Sequence, residues 1–155
     1  MISKIKNKRI KLYIIGDGQE YNNLNNLVND LGLNDRVFLT GYKNKQEIEK
    51  YLLNSSIFLM ASVSEGLPMV LLEAMSYGVP CIAFETDSGV NDIIENNKNG
   101  FVIKNRNEEE YINKINNLIN DKNKLKGFSK KAKETSYKFS KKEILNIWYS
   151  VLNRW

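Results

Sequence analysis

The chain has no histidine, a single cysteine and two prolines, and it lacks any uninterrupted apolar stretch long enough to cross a bilayer. Each shortage removes a class of function. Without histidine there is no Ser–His or Cys–His nucleophile pair, and one cysteine cannot build a zinc cluster. Cys81 stands alone behind Pro80 at the start of a predicted strand. It therefore supplies no disulfide framework and reads as a small core residue. The N-terminus is rich in lysine and poor in apolar residues, unlike a signal peptide, so a cytoplasmic location is expected.

What is present is ordinary for a globular protein. At 155 residues, 42% hydrophobic and 26% charged, one domain spanning residues 1–155 with a proper core is expected. The net charge of +5 invites a nucleic-acid reading. However, much of the lysine lies between Lys122 and Lys142, with none of the interleaved aromatics of a stacking platform. The charge reads as a solubility feature, and no nucleic-acid partner is expected. A basic module for nucleic acid or a membrane surface would betray itself by steep salt dependence of binding.

Strand and helix signals alternate along the chain. Strands are predicted at residues 10–15, 37–39, 57–60, 79–84 and 101–103, and helices at 19–31, 46–53, 68–78 and 89–95. In the first helix Tyr21, Leu24, Leu27, Val28 and Leu31 share a face closed by Gly32. The tail reads as all helix. Asn107 caps a helix carrying Tyr111, Ile115, Leu118 and Ile119, and Ser140 with Glu143 makes a capping box. Beyond it Ile144, Ile147, Trp148, Val151, Leu152 and Trp155 line one side, to be covered by the chain's own sheet or left as a docking face. The fold class is α/β: a Rossmann-like parallel sheet of about five strands with helices on both faces and a helical tail.

The central stretch runs from Ser64 to Gly78. It follows the apolar run Ile57–Met60 and contains a Gly66–Leu67–Pro68 turn, Pro68 being placed at the first helical position. The helix start would present unpaired amides near Met69, Val70 and Leu71, an anion site by geometry and dipole. Glu65 and Glu73 bracket it, separated by seven residues. From the residues alone two readings stand: a solvated helix charge and a loop charge, or a pair of binding carboxylates.

The glutamate spacing with Gly-Leu-Pro after the first resembles the Glu-x7-Glu signature of family 4 (group 1) retaining glycosyltransferases of the GT-B fold. Ile14–Gly18 resembles that family's strand and Gly-Asp-Gly turn, and Val37–Tyr42 its next strand and glycine. Ser88–Ile94 is similar to the family's Gly-Gly-x-x-Glu segment, with Ser88 and Asp92 departing from it, and Asn99–Val102 to its Asn-Gly strand. The five motifs fall in the family's order over roughly residues 10–120.

The resemblance implies the donor-binding C-terminal half of such an enzyme, moving a sugar from a nucleotide diphosphate sugar to a polysaccharide or glycolipid with retention. It implies that the base meets the backbone at Tyr42 and Lys43 and that Glu73 holds the ribose hydroxyls. The diphosphate would lie at Met69 and Val70 beside the Gly16–Gly18 turn. Glu65, with the amides of Gly66 and Leu67, would hold the donor sugar. No metal or other cofactor is expected. The family's Gly-Arg-Leu…Lys-Gly segment, its first strand–helix unit and the acceptor-binding N-terminal domain have no counterpart here, residues 1–9 matching only the end of a helix. A fragment of a larger enzyme, inactive by itself, is therefore expected. Its sheet gap between strands 10–15 and 57–60 would be closed by direct pairing or by another chain, self-association included. Peripheral contact with the inner face of a membrane goes with such acceptors. The alternative is a non-catalytic nucleotide-binding or assembly module on the same fold.

Overall fold

The computed structural model describes residues 1–153. It contains five parallel strands alternating with helices, arranged in two compact units, Met1–Tyr51 and Leu52–Trp155.

The first unit has β1 (Leu12–Ile14), α1 (Tyr21–Asp30), β2 (Val37–Leu39) and most of α2 (Lys45–Leu53). β1 pairs with β2 in register Leu12 to Val37 through Ile14 to Leu39. Val28, Leu33 and Val37 form its buried centre, against which Ile2, Leu12, Ile14 and Leu39 pack. Of the predicted apolar face of α1 only Val28 is buried; Leu24, Leu27 and Leu31 are exposed. Residues 1–9, expected to end a helix, form only a 3-10 turn at Ile2–Lys4. The cause lies in Arg36. Its buried guanidinium donates to the carbonyls of Ile5, Asn7 and Ile10, which draws an irregular segment over the unit and satisfies a cation that has lost its water. α2 begins at Lys45, a residue earlier than expected, because Asn44 and Glu47 cap each other reciprocally at 3.0 Å.

The second unit has β3 (Phe58–Met60), α3 (Met69–Ser76), β4 (Cys81–Phe84), α4 (Val90–Ile93), β5 (Gly100–Ile103), α5 (Glu108–Asn120), α6 (Lys122–Lys138) and α7 (Lys141–Leu152). Its sheet has the order β3-β4-β5, with Phe58 opposite Cys81 and Cys81 opposite Gly100. All residues of β4 and β5 are buried, as expected of parallel strands covered on both faces. α5 packs on β4 and β5, and α3 packs on β4 and α6. The caps at Asn107 and Ser140 form as the sequence predicts, accepting from the amides of Glu110 and Glu143, and Asp121 caps α6. Asn99 ties α6 to the sheet: its amide donates to Ile93 O and Thr135 Oγ1. Nearby, the Lys138 and Lys98 hydrogen bonds hold the Glu95 carboxyl below its usual range.

In two places the sequence leaves alternatives open and the structure bears on one of them. Among the described residues β1 pairs with β2 and β3 with β4, so strands 10–15 and 57–60 do not pair directly with each other. The C-terminal helix does not bury its apolar side on the sheet. None of the described residues of α7 is buried, and Trp148 is 60% exposed. Trp155 lies outside the described residues.

Candidate functional site

Because the strands of each sheet are parallel, the loops that follow them gather on one edge, where doubly wound folds bind ligands. In the first unit the turn after β1 holds Gly16 and Gly18 and the turn after β2 holds Tyr42 and Lys43. The two turns are joined by a hydrogen bond from Gly16 N to Gly41 O at 3.0 Å. Gly16 has φ of 133°, a conformation side chains rarely adopt. Tyr42 is open to solvent, and Lys43 forms an ion pair with Glu47 at 3.7 Å.

The second unit brings together the other six predicted residues: Glu65, Gly66, Leu67, Met69, Val70 and Glu73. The loop from β3 carries Glu65, half-buried, and exposed Gly66 and Leu67. Pro68 is the N-cap of α3 rather than its first helical residue; its ψ of 90° lies outside the helical region. No side chain caps α3, and the Leu71 amide bonds back to Pro68 O at 3.0 Å. That amide is therefore taken, contrary to expectation, and the tip is left to Met69 and Val70. Leu71, Leu72, Ala74 and Met75 are buried, whereas Met69, Val70 and Glu73 are exposed. With spacings of three and four residues, these three form one open stripe from the helix tip to the carboxylate. Among the described residues neither Glu65 nor Glu73 is engaged in an ion pair.

The loop after β4 reaches the same place. Ser88 Oγ lies 3.0 Å from Glu65 O and 3.3 Å from Gly66 O, and Thr86 Oγ1 donates to Ser88 O at 2.7 Å. Gly89 has φ of 79°, and a Cβ there would lie 2.0 Å from Gly66 O. Only glycine permits that approach. From the end of β5, Arg106 donates to Ala61 O and Ser62 O, both at 2.9 Å. Sequence reasoning missed Arg106; the one available signal was an arginine in a chain whose cations are mostly lysine. Among the described residues no cluster of three or more His, Cys, Asp or Glu is placed to hold a metal ion, and no helix is long and apolar enough to cross a membrane.

A Rossmann-like parallel α/β unit with this loop–helix edge is the C-terminal-domain architecture of GT-B glycosyltransferases. The family model for glycosyl transferases group 1 matches residues 1–135, and the chain belongs to that family. It is 34% identical over 141 residues to an uncharacterized glycosyltransferase of Haemophilus influenzae, covering 91% of this chain and 39% of that protein. It is 32% identical over 149 residues to a poly(ribitol-phosphate) alpha-N-acetylglucosaminyltransferase of Staphylococcus aureus, covering 96% of this chain and 30% of that protein. Among solved structures it resembles a mutant S. aureus TarM in complex with fondaparinux, alpha-GlcNAc-glycerol and UDP. The TM-score is 0.83 at 32% identity, over 96% of this chain and 30% of that one. The chain thus spans well under half the length of these relatives.

Proposed function

We propose that this chain is the donor-binding part of a retaining family 4 glycosyltransferase, taking a nucleotide diphosphate sugar and serving a polysaccharide or glycolipid acceptor. The observation that carries the reading is the open stripe of α3, which joins an uncapped helix tip to an exposed, unpaired carboxylate beside the Glu65 loop. The solved relative with UDP makes a uridine nucleotide the first ligand to try.

In this reading the helix tip at Met69 and Val70 takes the diphosphate, since its amides point outward and its dipole favours an anion. Glu73 accepts from both ribose hydroxyls, as an ionised carboxylate can. Glu65 and the amides of Gly66 and Leu67 hold the sugar. Gly16 and Gly18 serve the diphosphate, and the backbone at Tyr42 and Lys43 serves the base. In transfer, the bond from the anomeric carbon to the phosphate oxygen breaks. The acceptor oxygen bonds to that carbon on the same face, and its proton goes to the leaving phosphate. No metal is called for, because helix amides meet part of the leaving charge. In this reading the acceptor is held outside the donor-binding part, so these 155 residues by themselves bind donor without turning it over. A cytoplasmic setting, at the inner face of the membrane, fits such acceptors.

Calorimetric titration with UDP tests the reading. Glu73→Ala is expected to weaken binding roughly tenfold or more, the loss of charge-assisted hydrogen bonds worth about 1.5–3 kcal/mol. Unchanged affinity in that variant would remove the ribose role. Turnover of a nucleotide sugar by the purified chain would refute the expected inactivity.

A further inference from the structure

The Glu65 loop is gripped at both ends by residues outside it. At its root, the Arg106 guanidinium spans two successive carbonyls, with one nitrogen on Ser62 O and another on Ala61 O, both at 2.9 Å. The same group lies over the Phe84 ring, 4.5 Å from its centroid, and Phe84 is itself buried at the end of β4. A planar fork both stacked and doubly hydrogen-bonded has little freedom left, which a lysine ammonium could not reproduce. The backbone that delivers it is unusual: Asn105 and Arg106 have φ of 51° and 48°, the left-handed region that non-glycine residues seldom occupy. At the loop's tip the Ser88 hydroxyl holds the carbonyls of Glu65 and Gly66, and Gly89 lies against Gly66. Ser88 stands where the resembled pattern has a glycine, and its hydroxyl supplies this contact here.

We propose that Arg106 is the positioning residue of the sugar-binding loop, fixing its root on the sheet while Ser88 fixes its tip, so that Glu65 meets the donor sugar in one attitude. The assignment rests on the reading of Glu65 given above. Arg106 touches no substrate; it acts through the carbonyls of Ala61 and Ser62.

The test uses the full chain and the variants Arg106→Gly, Arg106→Lys and Ser88→Ala. Glycine is the informative replacement, because it removes the fork yet accepts a positive φ without strain. Two readouts are taken. Hydrogen exchange of peptides covering residues 61–67 is compared with that of β4 and β5. Affinities are measured for UDP and for UDP-glucose, UDP-galactose and UDP-N-acetylglucosamine, giving the gain due to the sugar. In Arg106→Gly and Arg106→Lys, loop exchange is expected to quicken while β4 and β5 stay protected. The sugar's gain should fall by about tenfold, the worth of one misplaced charge-assisted contact. UDP affinity should hold within about twofold. Ser88→Ala should shift both readouts in the same sense by less. Unchanged loop exchange in Arg106→Gly overturns the proposal, as does an equal loss of UDP and UDP-sugar affinity, which marks a purely structural role. If wild type binds no uridine nucleotide but the loop exchange responds, Arg106 still fixes the root of the loop, while the donor reading, and with it the loop's role toward a sugar, falls.

Discussion

At the residue scale, the second unit depends on polar atoms placed inside an apolar core. Tyr111 is almost wholly buried, with its ring 4.6 Å from that of Phe84, and its hydroxyl donates to Ile82 O at 2.8 Å with Met60 O at 3.3 Å. Burial pushes its pKa up, so the phenol stays a donor throughout the ordinary pH range. Tyr111→Phe keeps the ring packing and removes the donor shared by the carbonyls of Ile82 in β4 and Met60 at the end of β3. It should lower unfolding free energy by about 1–2 kcal/mol, read from the denaturant midpoint at constant slope. An unchanged midpoint would show that those carbonyls do not need the hydroxyl. Cys81 is buried and burial likewise raises its pKa, which keeps the thiol protonated and inert, in keeping with a core role read from its place behind Pro80. Tyr111 was legible only as one member of a helical stripe. Its hydroxyl's partners lie 51 and 29 residues away and leave no trace in local periodicity.

At the scale of elements, β2 falls on the residues its apolar run predicted, β1, β3 and β4 are trimmed by a residue or two at their ends, and β5 begins one residue earlier than expected. Helix starts follow the caps that the sequence pattern marks at Asn107 and Ser140, whereas at Asn44 the reciprocal cap with Glu47 sets the start a residue earlier than the apolar spacing predicts. α7 shows the limit of pattern reading. Its apolar side is as regular as that of α5, yet α5 is buried and α7 is not, because periodicity says which face is apolar and not what covers it. Ile147→Ser and Trp148→Ser, both at open positions, should therefore change the stability of this chain by no more than about 0.5 kcal/mol. A loss of several times that, measured by thermal or denaturant unfolding, would mean that the helix is covered in solution. In the larger enzyme proposed here, the same face would be available to another domain.

For the whole molecule, the division into two units has a consequence for stability. The first unit rests on a two-stranded sheet and a small cluster around Val28, Leu33 and Val37, whereas the second buries β4 and β5 completely. Two paired strands are marginal without wide apolar cover. Amides of β1 and β2 should exchange with solvent well before those of β4, as followed by mass spectrometry. Equal protection would show that the two units open as one. By itself the sequence determined the alternation of strand and helix, the glycine turns, most helix caps and the family, all of which depend on residues close together in the chain. Only the tertiary structure decided which apolar faces are covered, how the strands divide into two sheets, and that Arg106 and Ser88 converge on the Glu65 loop. Those outcomes depend on contacts between residues some 20 to 45 positions apart, where side-chain volume and hydrogen-bond direction, not local pattern, select the partner.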